Sequence, residues 1–163
     1  MKAATRRSPR SKKTITGCRF RPPAFDVYMA AIKMKIVVVI ARVLLGLIVV
    51  FFGLNGFLNF LPAPPLTGVP GAFLGALMTS HYVYLVCAVQ VLGGLLLVVN
   101  QFVPFGLALL APIIANIVTY HLTMQRSGAQ LAILATIPWA FLAWKFRAYF
   151  APLATRNAVL TSD

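Results

Sequence analysis

Between Ile36 and Leu61 the chain runs for 26 residues with one charged side chain, Arg42. A helix of that length rises about 39 Å at 1.5 Å per residue, enough to cross a hydrocarbon core of about 30 Å. Segments of this kind have two stable environments, a bilayer or the centre of a large soluble domain. The rest of the sequence decides between them, because three further apolar runs follow: Ala72–Val99, Phe105–Met124 and Ala129–Trp144. In 163 residues, 60% are hydrophobic and 10% are charged, against about a quarter charged in ordinary soluble domains. The expected architecture is an all-α, polytopic membrane four-helix bundle with spans at about 36–61, 72–99, 104–124 and 129–145. Residues 1–34 are expected as a basic, disordered tail and 148–163 as a short C-terminal tail.

The punctuation agrees with four helices. Four prolines within 62–70 rule out a helix interior there, since each lacks an amide donor and disfavours the α region for the residue before it. Asn100-Gln101 before Pro104, and Gln125-Arg126-Ser127-Gly128, are short links that make neighbouring helices antiparallel. Pro112 and Pro138 fall inside the third and fourth helices, where each should kink its helix and free a carbonyl. Trp139 and Trp144, followed by Lys145 and Arg147, read as an interfacial anchor.

The net charge of +13 is concentrated at one end. Ten of the 15 Lys and Arg residues precede Ile36, and the first two links carry none. Lipid orientation follows the placement of such residues, so both termini are expected on the cytoplasmic side, with anionic lipid head groups as partner of the tail and no nucleic acid. A bacterial inner (plasma) membrane fits this pattern. Met29 and Met34 just before the first run are alternative translation starts to Met1, which an intact mass would distinguish. A mitochondrial-type targeting peptide has the same composition. Cys18 lies in the tail and Cys87 within an apolar run, so no disulfide is expected.

Asp26 and Asp163 are the sole acidic residues, which excludes paired-carboxylate chemistry and an acid-based proton relay within the membrane region. Phosphate-loop, dinucleotide, nucleophile-elbow and zinc-protease motifs are all absent from the sequence, and no catalytic residue is assigned. In lipid, small residues mark the faces along which helices pack. Arg42, Gly46, Val49, Gly53 and Gly56 form one stripe. Ala76, Thr79, Val83, Gln90 and Gly94 form a second, and Ala108, Ala111, Pro112, Ala115 and Thr119 a third. Asn55 and Asn59 pair on another face of the first helix. Arg42 either snorkels to the head groups or faces inward to bind an anion, a quinone carbonyl or a partner. Gln90 and Asn116 serve either as hydrogen-bonding links between helices or as ligand contacts. His81 and His121 at similar depth are too few to hold a metal by themselves, and no metal site is assigned.

The stretches Ala41-Arg42-Val43-Leu44-Leu45-Gly46, Phe52-Gly53-Leu54-Asn55-Gly56-Phe57, Val89-Gln90-Val91-Leu92-Gly93-Gly94 and Ala111-Pro112-Ile113-Ile114-Ala115-Asn116 to His121 resemble the DoxX-like family of small bacterial membrane proteins. The resemblance covers roughly 35–147. It implies a four-helix membrane fold and, from some members, a subunit of a thiosulfate:quinone oxidoreductase or a role in oxidative stress. Many members carry Glu where this chain has Gln90, a neutral group in place of an ionisable one. Most members of the family have no assigned activity, so on this resemblance the chain is expected to be a DoxX-like membrane protein of unassigned activity. The leading reading is an accessory subunit of a quinone-linked membrane redox system, with a membrane or peripheral redox partner and no catalysis of its own. Arg42, Gln90 and Asn116 are then the candidate quinone contacts. A small transporter component and a non-catalytic assembly or scaffold protein are the alternatives.

Overall fold

The structure is a computed structural model and describes residues 24–61 and 66–154. Six α-helices and a terminal 3-10 turn occur among them: α1 Ala24–Leu58, α2 Gly68–Thr79, α3 Tyr82–Val99, α4 Val103–Thr123, α5 Ala129–Lys145, α6 Arg147–Phe150, then Ala151–Ala154. The chain is all-α, and the helices pack as a bundle. Helices α1, α3 and α4 are each long and apolar enough to cross a membrane. Helix α5 with the segment after it makes a fourth candidate if the pair counts as one span across its 72° bend. At 17 residues α5 alone rises about 25 Å, short of the hydrocarbon core.

The four long helices close a ring: α1 packs on α3 and α5, α3 on α4, and α4 on α5. Glycines set the closest approaches. A Cβ on Gly46 would stand 2.9 Å from the Gly94 carbonyl, and one on Gly94 would stand 2.9 Å from the Gly46 carbonyl. Further along α1, Gly53 meets Cys87 and Val91, and Gly56 meets Cys87. This register makes α1 and α3 antiparallel, and the expected Arg42–Gly56 stripe is the face that meets α3. Leu45, Val49, Leu97, Leu107, Leu110 and Leu142 fill the centre of the ring, each at most 1% exposed.

Three sequence expectations are corrected. Helix α1 starts at Ala24, so 24–34, expected within a disordered tail, is helical. Pro22-Pro23 immediately before it and Asp26 in its first turn are the start signals that account for this. The tail before Ala24 lies outside the described residues, as do Cys18 and residues 155–163. The run expected as one helix over 72–99 is two, with His81 between them in the left-handed region at φ 60. Hydroxyls break the ladder there: Thr79 Oγ1 donates to the Gly75 carbonyl at 2.8 Å, and Ser80 Oγ donates to the Leu77 carbonyl at 3.2 Å. The stripe from Ala76 to Gly94 is therefore not continuous, and its buried part is Gln90 and Gly94.

On α4 the expected small-residue stripe is not the buried one. Ala108, Pro112, Ala115 and Thr119 are exposed, while Gly106, Leu107, Leu110, Ile113 and Ile114 are buried. The reason is division of labour across the contact. Gly93 of α3 leaves a hole, and the Leu110 side chain fills it, with Leu110 Cγ 2.9 Å from where a Gly93 Cβ would stand. Beside it Gly106 faces the Gly93 carbonyl, 3.1 Å from where a Gly106 Cβ would stand, so large and small residues of α4 share the contact.

Candidate functional site: a cavity between α2, α3 and α4

Because the second apolar run breaks at His81, α2 does not continue α3. Phe73 on α2 instead lies against Tyr120 near the end of α4, their ring centroids 5.8 Å apart. The space enclosed between α2, α3 and α4 is a cavity of about 610 Å³. Its walls are chiefly apolar: Phe73 and Leu77 from α2, Val86 and Val89 from α3, Ile113 and Ile117 from α4. Gln90, Asn116, Tyr82, Tyr120 and His121 bring polar groups to the lining, and Cys87 a thiol. The volume falls within the range of small-molecule sites, where apolar walls and a few convergent polar groups are the usual arrangement.

Gln90 is 8% exposed. Its amide has no hydrogen bond among the described residues and is not fully covered, and the residue lines the cavity. Asn116, on α4, is exposed and lines the same space. Tyr120 and His121 are already engaged. The Tyr120 hydroxyl donates to Gln125 Oε1 at 2.8 Å, and His121 Nδ1 lies 2.9 Å from the Gln125 carbonyl oxygen. These bonds fold the chain back after α4, with Gln125 Nε2 donating to Ser127 Oγ at 3.2 Å. His121 thus organises the turn, and His81, exposed, lies beside Tyr84 with centroids 5.8 Å apart. No group of three or more His, Cys, Asp or Glu side chains able to hold a metal occurs among the described residues.

Of the three residues singled out from sequence, the cavity brings together Gln90 and Asn116. Arg42 is not one of its walls. Extending the α1–α3 register from Gly46–Gly94 and Gly53–Cys87 puts Arg42 level with the C-terminal end of α3. That is about eight residues, or about 12 Å, from the level of Gln90. Sequence reasoning missed the contribution of α2, since it treated Ala72–Val99 as a single rod; the Thr79-Ser80-His81 cluster was the available signal. Trp139 is also placed differently from expectation. Its indole N–H donates to the Leu107 carbonyl at 3.0 Å, between α5 and α4, whereas Trp144 is 66% exposed and carries Arg147 over its ring at 4.7 Å.

The lining offers the side-chain amides of Gln90 and Asn116 within a chiefly apolar space, and no carboxylate. It suits holding a polar head with an apolar body more than proton transfer. No protein-family model, no curated protein and no solved structure matches the chain. What helix length, apolarity and packing establish is a multi-span helical membrane protein in contact with the lipid bilayer.

Proposed function

We propose that this chain is a DoxX-like membrane protein that binds a lipid-soluble, quinone-type molecule in the α2–α3–α4 cavity, as an accessory subunit of a membrane redox system. The Gln90 amide carries this reading: it is buried, has no hydrogen bond within the described residues, and lines a largely apolar cavity. An unbonded buried amide costs free energy that a ligand carbonyl would return. Asn116 on the facing helix supplies a second amide. Because Gln90 is neutral, the role is binding and orientation, with electron transfer belonging to a membrane or peripheral redox partner. The membrane is a bacterial inner membrane with both termini cytoplasmic, the basic tail lying against anionic lipid.

A transporter is less well supported. Broken helices in transporters flank a site near the midplane. Here the breaks at His81 and Phe146 fall at the ends of α3 and α5.

The test is equilibrium binding of decylubiquinone to the full chain in nanodiscs. Wild type should bind saturably, and Gln90→Leu should weaken binding by roughly tenfold, the worth of one buried hydrogen bond. Equal binding by wild type, Gln90→Leu and Asn116→Leu would remove the cavity from consideration.

A further inference from the structure

Arg42 presents a problem that the cavity does not solve. It is 8% exposed, and its Nε and Nη1 are sealed from solvent with no hydrogen-bond partner. A guanidinium stays charged at any physiological pH and cannot escape the cost by losing a proton. A buried cation without a counter-charge is among the least favourable arrangements a membrane protein can hold. The described residues offer little to neutralise it. Asp26, the one acidic side chain among the described residues, is 16 residues earlier on α1, about 24 Å along the helix. Full snorkelling is also at odds with the burial, since a side chain reaching out to water would expose its donors.

The surroundings indicate what kind of group completes it. Arg42 is level with the end of α3, and α5, which runs antiparallel to α1, ends at the same end of the bundle. Lys33 and Lys35 precede Arg42 on α1, and Lys145 and Arg147 stand at the close of α5. Positive charge of this density concentrates anions, above all anionic head groups, at that membrane surface. Lys35 is seven residues before Arg42, about 10 Å along the helix, so Arg42 sits just inside the level of the lysines. The third guanidinium nitrogen, Nη2, keeps surface and lies on the same side as Nε–H, and those two make the side-on fork that matches a phosphate oxygen pair.

We infer that Arg42 is the anchor of a phosphate-binding site at the lysine-rich end of the bundle, filled by one tightly held phosphate-bearing anion. The lipid phosphodiester and free phosphate share the chemistry that the site recognises. The lysines attract the anion loosely, and Arg42 fixes it. The inference is independent of the cavity, from whose lining Arg42 is absent.

Native mass spectrometry of the full chain, released from detergent with phosphatidylglycerol, phosphatidylcholine or inorganic phosphate, tests it. Wild type should retain one phosphatidylglycerol under activation that strips the others. Lys33→Gln/Lys35→Gln should lower the total bound and keep that last molecule. Arg42→Met should lose it, and Arg42→Lys, with the charge but not the planar fork, should hold it about tenfold more weakly. If inorganic phosphate is retained in its place, and phosphatidylglycerol is not, the site is filled from solution. Should Arg42→Met fail to fold, the wild-type and Arg42→Lys comparison still decides. Retention that is equal in wild type and Arg42→Lys, or that follows Lys33 and Lys35 instead, overturns the assignment. So does retention of neither phosphate source by wild type, which would leave a carboxylate of another protein as the counter-charge.

Discussion

At the scale of single residues, packing between α1 and α3 is governed by where a Cβ is absent. Gly56 faces the Cys87 sulfur so closely that an added methyl would overlap it, and Gly94 would meet Val49, Val50 and the Gly46 backbone. The two positions differ in what can yield. Beside Gly56 the obstacle is the end of a small side chain, whereas beside Gly94 it includes a carbonyl of the facing helix. Gly56→Ala should therefore destabilise the bundle by about 1–3 kcal/mol, the usual cost of overpacking, and Cys87→Ala should restore much of it in the double variant. Gly94→Ala should have no such single rescue. Gly75 on α2 has open space around it, so Gly75→Ala should be neutral or slightly stabilising. Unfolding of the purified protein by sodium dodecyl sulfate in mixed micelles measures all four, and equal losses at Gly56 and Gly75 would contradict the contact geometry. Arg42 and Gln90 are the other face of this residue-level account. They are the two buried polar side chains of the described residues, one with two sealed and unpaired nitrogens, the other open to a cavity.

At the scale of elements, apolar run length was legible because lipid demands it: α4 and α5 begin and end within a residue or two of where the sequence places them. The start of α1 was less so, since a run defined by apolarity cannot see a helix that continues into charged residues. Only Pro22-Pro23 and Asp26 marked it. The break at His81 was hidden for the opposite reason, because two helices separated by a two-residue joint leave the hydropathy unbroken. The candidate site inherits both outcomes. Gln90 and Asn116 could be chosen as polar residues in apolar helices, but the cavity they share exists because α2 departs from α3. The buried face of α4 could not be read from small residues alone, since Leu110 packs into the space that Gly93 leaves. Trp139 gives a direct test of element packing. Its bond to the Leu107 carbonyl lies one residue from Ala108, whose carbonyl loses its helical donor at Pro112. Trp139→Phe should cost about 0.6–1.7 kcal/mol in the same unfolding measurement, the range for hydrogen bonds between membrane helices. Trp144→Phe, at an exposed position, should cost less. An equal effect at the two tryptophans would mean that the α4–α5 bond contributes nothing.

For the whole molecule, the ring of α1, α3, α4 and α5 and the excess of Lys and Arg at one end make a joint statement about sidedness. If α1, α3, α4 and α5 all cross, the 100–102 link lies on the side of the N-terminus, and the links around Ser80 and Ser127 lie opposite. On that arrangement Lys33, Lys35, Lys145 and Arg147 share one side, which the placement of positive charge predicts to be the cytoplasmic one, with Arg126 as the one basic residue among the described links on the other. Helix α5 alone is short of a full span, and the 72° bend after it turns the following segment off its axis, with Arg147 over the Trp144 ring. Cysteine labelling separates these statements. With a membrane-impermeant maleimide, Ser80→Cys and Ser127→Cys should react in intact cells, while Cys18 and Gln101→Cys should react only after permeabilisation. Cys87, buried where α1 meets α3, should remain unlabelled in the folded protein. Reaction of Gln101→Cys and Ser127→Cys from the same side would show that α4 does not cross. A cysteine placed at Thr161 isolates α5, because labelling it from the side of Ser127 would reduce the spans to three and separate the two termini. Reversal of the whole pattern would keep the bundle and its spans but show that the basic end faces outward, leaving the anionic cytoplasmic leaflet without its place in the account of Arg42.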